Sequence, residues 1–257
     1  MAEPEFLSFA GSEELVRAVA AAWLDEIPQA SQAAQNYGVA LSGGRIAAAL
    51  FSEFRRQARA RNRLPIQVHF FWADERCVPP SDSASNYRVA AEQVFAPLGV
   101  ATDRIHRIRG ELDPDVAARE ATAELCRFTP RAATGQPLLD LVLLGMGEDG
   151  HVASLFPGEP EAVISSPVAY RAVTAPKPPL RRVTLGYGVL AAARQVWVVI
   201  SGGGKEAALG ESLRPNGQTP LARVLRSRPC TRIFSELRKP DSGLWVAETS
   251  LPSEDRS

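Results

Sequence analysis

The segment Leu138 to Leu144, Leu-Leu-Asp-Leu-Val-Leu-Leu, is almost continuously apolar and then stops at Gly145. A run this short and this apolar belongs to a strand covered on both faces, as in parallel sheets whose crossover helices pack on either side. Tyr37 to Leu41, Ile66 to Trp72 and Val196 to Ile200 read the same way. Helical periodicity lies between them. Ser12 is placed to cap a helix through about Ile27, with Leu15, Val16, Val19 and Trp23 on one apolar face. Further helices are expected from about Arg45 to Arg61, where the arginines form a solvated face, over Asp115 to Arg127 and over Lys205 to Leu213. This alternation predicts an α/β fold, a Rossmann-like, mostly parallel sheet flanked by helices on both faces. Val183 to Leu185 and Leu244 to Val246 are candidate additional strands. Residues 1–250 are expected to form a single domain, followed by a disordered tail over 251–257.

Open parallel sheets bind ligands beyond the carboxyl ends of their strands. Here each run ends in glycine or charge: Ser42-Gly43-Gly44, Asp74-Glu75-Arg76, Gly145 to His151, and Ser201 to Lys205. The glycines after Ser42 let backbone N–H groups approach an anion at a helix start, although a tight turn alone would use them too. Arg45 adds a cation to that turn. Asp74 can orient a base or bind sugar hydroxyls, and Arg76 can hold an oxyanion or phosphate in a fork; the plainer alternative is a solvated strand end. Gly202-Gly203-Gly204-Lys205 is half a P-loop, but Val199 replaces the first glycine and Glu206 the Ser/Thr. Lys205 remains a phosphate contact at a helix start, without pointing to ATP. No Asp or Glu occurs between Glu161 and Glu206, whereas Arg171, Lys177, Arg181, Arg182 and Arg194 do, which suits an anionic substrate.

Gly145-Met-Gly147-Glu-Asp149-Gly150 is formally a dinucleotide-binding G-x-G-x-x-G. That fingerprint requires a helix at the third glycine and an acid about 20 residues on. Pro157, Gly158 and Pro160 leave little room for the helix, and the acid is missing. His151 follows the third glycine, two residues from Asp149. A lone histidine is more often structural, but an imidazole titrating near pH 6.5 and oriented by a carboxylate is suited to take a proton. Ser154 is the neighbouring candidate nucleophile; without a G-x-S-x-G elbow in the chain, His151 activating a water is the preferred reading.

Composition narrows the partners. Lys and Arg number 29 and Asp and Glu 29, so no global field favours nucleic acid or an anionic membrane. No apolar run reaches the roughly 18 residues of a membrane span, and the acidic Met1-Ala-Glu-Pro-Glu5 is unlike a secretory signal. Cys77, Cys126 and Cys230 are scattered and read as reduced thiols, which suggests a cytoplasmic protein. His69, His106 and His151 lack metal-ligand spacing, so no metal is expected.

With these residues assembled, the sequence resembles the 6-phosphogluconolactonases of the glucosamine-6-phosphate isomerase/deaminase superfamily. The likeness rests on Leu41-Ser-Gly-Gly44, on Phe71 to Pro80 with Ser85-Asn-Tyr87, on Asp140 to Gly158, and on Ala175 to Pro179 with Arg182-Val-Thr184. It implies a NagB/RpiA-like fold, a small phosphorylated sugar lactone as substrate, no cofactor and a monomer. It further implies His151 as base, Asp149 as its orienter, Asp74 and Arg76 in the catalytic group, and Arg76 or Lys177 on the oxyanion or phosphate. Ser42, Gly43, Gly44, Arg45, Arg182 and Lys205 would bind substrate. Deaminase relatives have Asp-Glu-Tyr where this chain has Asp74-Glu75-Arg76, and an acid where it has Ser154-Leu-Phe-Pro157. A glucosamine-6-phosphate deaminase and a non-catalytic sugar-phosphate sensor are the alternatives. One departure stands out: Arg45-Ile46-Ala47 occupies the place of the family's Ser-Thr-Pro.

Overall fold

The computed structural model describes residues 3–31, 37–63 and 67–240. Its strands are β1 (Glu5–Ser8), β2 (Tyr37–Leu41), β3 (Val68–Trp72), β4 (Asp74–Arg76), β5 (Leu141–Gly145), β6 (Tyr170–Thr174), β7 (Arg181–Leu185), β8 (Gln195–Ile200) and β9 (Arg232–Ser235). Six form one sheet in the order β1-β9-β8-β5-β2-β3, with each neighbouring pair parallel. Every residue of β2 and β3 is buried, so side chains on both faces are covered, as their unbroken apolar character requires.

Helices Ser12–Ser31 and Ala47–Ala60 pack together over this sheet, with the Trp23 and Phe54 rings 4.0 Å apart. Trp23, Phe54, Leu15 and Val19 are each fully buried, and burial of such a side chain contributes about 1.5–3 kcal/mol. Asp113 caps the helix Pro114–Phe128 by accepting from the N–H groups of Asp115 and Val116. No helix among the described residues is long and apolar enough to cross a membrane.

The winding places the site. From β2 the chain moves outward to β3, then returns to set β5 on the other side of β2 and continues through β8 to β9. Winding therefore reverses between β2 and β5, and a crevice opens beyond their carboxyl ends. Ser42-Gly43-Gly44 follows β2, and Gly145 to His151 closes β5.

Three features depart from expectation. Asp74-Glu75-Arg76 is a strand, paired with β7 in a second, antiparallel sheet of order β4-β7-β6. Val183 to Leu185 belongs there and not to the parallel sheet. Glu75 is 2 % exposed, and its carboxylate accepts from the N–H groups of Arg76, Asn86 and Tyr87 at 2.8 Å and from Ser85 Oγ at 3.1 Å. Burial pushes its pKa up while these donors oppose the shift. The edge strand β1 and its neighbour β9 were unanticipated because each is four residues of mixed polarity. Leu244 to Val246 and the tail over 251–257 lie outside the described residues.

Candidate active site

A cleft of about 690 Å³ opens at the winding reversal. Ser42, Gly43, Gly44, Arg45, Asp74, Arg76, Asp149, His151, Lys177, Arg182 and Lys205 all line it. Five cationic side chains and the carboxylates of Asp74, Glu148 and Asp149 are brought together there. A chain with no net charge thus has a locally cationic pocket.

The loop after β5 folds back on itself, with Met146 bridged to Val152 and the Gly147 N–H donating to the His151 carbonyl. This tight return is why the glycines are needed. A Cβ on Gly147 would stand 2.1 Å from the His151 ring, and one on Gly150, whose φ is +78°, would meet Thr219 at 2.7 Å. No helix opens at the third glycine; the next one is the short Glu161–Ile164. The phosphate-binding helix of a dinucleotide site is therefore missing from this loop.

Asp149 Oδ1 lies 2.5 Å from His151 Nδ1 and also accepts from the His151 backbone N–H at 3.1 Å. Burial raises the Asp149 pKa, but hydrogen bonds from the His151 side chain and backbone outweigh it and hold the carboxyl below its usual range. An ionised carboxylate only accepts, so Nδ1 is the nitrogen that carries the proton to Asp149 and Nε2 is the one left to the cleft. The Phe156 ring, 5.1 Å away, packs beside the imidazole.

Asp74 is 5 % exposed and accepts from Ser154 Oγ at 2.6 Å. Ser154 is fully buried, and its own N–H donates to Thr184 Oγ1. This hydroxyl supports Asp74 and is not presented as a nucleophile. Arg182, 8 % exposed, uses its three nitrogens on Ser154 Oγ, the Pro179 carbonyl and the Lys177 carbonyl. It therefore fixes the proline loop that carries Lys177. Arg76 donates through Nη1 to the Ala84 carbonyl at 2.7 Å. Arg76 Nε and Ser42 Oγ are buried without a hydrogen-bond partner. Orphaned polar groups of this kind are rare, and two in one cleft suit a polar ligand.

At the other end, Arg45 Nη2 lies 3.4 Å from Glu148 Oε1. Lys205 is 9 % exposed, and burial, then the nearby Arg45 charge, pushes its pKa down. Sequence reading missed Glu148 and Asn86 as cleft residues. Glu148 sits inside the glycine loop and was legible there. Asn86 was named only within the family likeness and without a role: it donates to the Asp74 carbonyl at 2.9 Å and packs so close to Gly43 that a Cβ there would lie 1.8 Å from Asn86 Oδ1. Glu236, which accepts from the Gly202 N–H, follows β9 and has no local signature.

Residues 10–233 match the family model described as glucosamine-6-phosphate isomerases/6-phosphogluconolactonase. The chain belongs to this family. It is 33% identical over 209 residues to a 6-phosphogluconolactonase of Treponema pallidum, covering 81% of this chain and 86% of the relative. A 6-phosphogluconolactonase of Mycobacterium tuberculosis is 31% identical over 223 residues, covering 83% and 87%. Among solved structures, one titled devB protein superposes with a TM-score of 0.80 at 29% identity, covering 90% of this chain and 95% of that one. A monomeric glucosamine-6-phosphate deaminase superposes at 0.75 with 18% identity, covering 90% and 97%, a likeness of fold alone.

Proposed function

We propose that this chain hydrolyses 6-phospho-D-glucono-1,5-lactone to 6-phosphogluconate. The observation that carries the reading is the His151–Asp149 pair, with Nδ1 protonated and held by the carboxylate and Nε2 left free to accept a proton. Family membership and the lactonase names of its relatives support the substrate; the cationic cleft supports its phosphate.

In the proposed course, His151 Nε2 takes a proton from a water as its oxygen bonds to C1. The carbonyl electron pair moves onto oxygen, giving a tetrahedral intermediate. Arg76 is the proposed oxyanion donor, since its tether to the Ala84 carbonyl orients it before the substrate arrives. Collapse reforms the carbonyl, breaks the bond from C1 to the ring oxygen, and returns the proton from His151 to that oxygen. Asp149 stabilises the transient imidazolium. Asp74, propped by Ser154, is proposed to bind sugar hydroxyls. The phosphate end is proposed to consist of Ser42, the glycines after it, Arg45 and Lys205, with Lys177 reaching in from the loop that Arg182 holds.

The test is lactone consumption coupled to 6-phosphogluconate dehydrogenase, corrected for spontaneous hydrolysis. The expected result is enzyme-dependent 6-phosphogluconate formation. No rate above the spontaneous one, or ammonia release from glucosamine 6-phosphate in its place, overturns the reading.

A further inference from the structure

The loops after β2, β5 and β8 meet at one end of the cleft, and the Arg45–Glu148 ion pair crosses them at 3.4 Å. The guanidinium lies over Gly202, where a Cβ would come 3.8 Å from Cζ and Nη2. The Glu148 carboxyl carbon is 3.9 Å from the place of a Cβ on Gly204. Both side chains are well exposed, at 74 % and 58 %, so neither is locked by packing. Lys205 is buried at the same end, where Glu148 and Glu236 partly offset the repulsion from Arg45.

A phosphate monoester carries a charge of about −1.5 to −2 near neutrality. On the reading that the phosphate sits between Arg45 and Lys205, it arrives next to a carboxylate that already holds one of its cations. We propose that Glu148 sets the affinity of this site by competing with the ligand's phosphate for Arg45. The phosphate is the same in substrate and product, so its grip strengthens both equally and does not accelerate the chemistry. A weaker grip shortens the stay of a product that has gained a carboxylate. Glu148 acts in that direction.

Isothermal titration with 6-phosphogluconate and with gluconate, alongside lactonase kinetics, tests this on the full chain. Glu148→Gln is expected to tighten 6-phosphogluconate by roughly 2–5-fold, equivalent to about 0.4–1 kcal/mol. KM should fall by a similar factor, with kcat moving less, and gluconate binding should not follow. Arg45→Ala should weaken 6-phosphogluconate. Unchanged or weaker 6-phosphogluconate binding in Glu148→Gln overturns the proposal, since Glu148 would then be holding Arg45 ready for the ligand. Equal tightening of gluconate also overturns it, because the effect would be a general field. A wild type that binds 6-phosphogluconate without turning over the lactone sinks the lactonase reading but still decides Glu148. A wild type that does not bind 6-phosphogluconate sinks both.

Discussion

Two imidazole–carboxylate sites lie among the described residues, and they are built to opposite ends. At His151 one ring nitrogen is engaged by Asp149 and the other is left to the cleft. At the second site Arg104 Nη1 is 2.6 Å from His69 Nε2, His69 Nδ1 is 2.7 Å from His106 Nε2, and His106 Nδ1 is 3.0 Å from Glu124 Oε1. A guanidinium can only donate, which forces the direction of the whole relay: Arg104 to His69, His69 to His106, His106 to Glu124. Both rings are neutral and all four ring nitrogens are occupied. They are 3 % and 7 % exposed and stack 5.0 Å apart, with Phe71 and Phe128 against His106. A carboxylate beside a histidine therefore does not by itself mark a catalytic base; the proposed role of His151 further needs a ring nitrogen left facing a cavity.

The comparison breaks most sharply by exchange of losses. General-base catalysis is typically worth about 10²–10⁴-fold, so His151→Ala should reduce kcat within that range, with thermal melting little changed. Near-normal turnover would remove His151 from the chemistry. Gly147→Ala probes the same point without touching a polar group. Its methyl would stand 2.1 Å from the ring and 2.8 Å from Asp149 Oδ1, so the imidazole must move. A displacement of about 1 Å can cost roughly 10²-fold, which is the expected loss in kcat. If kcat holds, the ring position matters less than the reading requires.

The buried relay should fail in stability instead. His106→Ala leaves the His69 Nδ1–H without its acceptor and Glu124 without its donor and opens a cavity, at an expected cost of about 2–4 kcal/mol in a urea melt. Turnover of the folded fraction should stay near wild type. Acid should act through the same groups. Burial first, then Arg104 and His106, hold the His69 pKa at about 4, with Asp103 and Glu124 opposing. Burial lowers that of His106 too, against the pull of Glu124. The unfolded rings titrate near 6.5, so below that pH the unfolded chain binds more protons and stability falls. His69 alone implies a loss of about 2 kcal/mol between pH 7 and pH 5, above the range where ordinary carboxylates titrate. A loss of stability from pH 7 to pH 5 that is the same in wild type and in His69→Ala would refute the neutral rings of this relay.

The same contrast explains what could be read from the residues alone. Strands β2, β3, β5 and β8 were legible because a strand covered on both faces must be apolar throughout, and the glycines at their ends marked the cleft. His151 was legible through its local geometry, two residues from Asp149. The relay was not: His69, His106 and Glu124 are brought together by the packing of β3, a following loop and the helix Pro114–Phe128, and no spacing encodes it. Strand β4 was hidden for a related reason. Asp74-Glu75-Arg76 reads as a solvated end until Ser85, Asn86 and Tyr87 are seen to satisfy the buried Glu75 carboxylate from 10 to 12 residues away. Arg45 was noticed as a departure, but its partner Glu148 comes from a loop 103 residues on.

The smallest expected effect discriminates best between orienting a ring and charging it. Asp149 Oδ1 accepts from both the His151 backbone N–H and Nδ1. In Asp149→Asn the backbone N–H still demands an acceptor, so the amide should keep its oxygen toward His151 and its NH2 away. Nδ1 then stays protonated and Nε2 stays free, while the negative charge that stabilised the imidazolium is lost. The expected decrease in kcat is about tenfold, or roughly 1.4 kcal/mol. Asp149→Ala removes the acceptor as well and frees the ring to turn, so it should fall closer to His151→Ala. If the two substitutions prove equally damaging, the charge of Asp149 outweighs its geometry. The buried relay, which holds its rings through an arginine and a carboxylate with no free nitrogen, would then be the only one of the two sites governed by orientation.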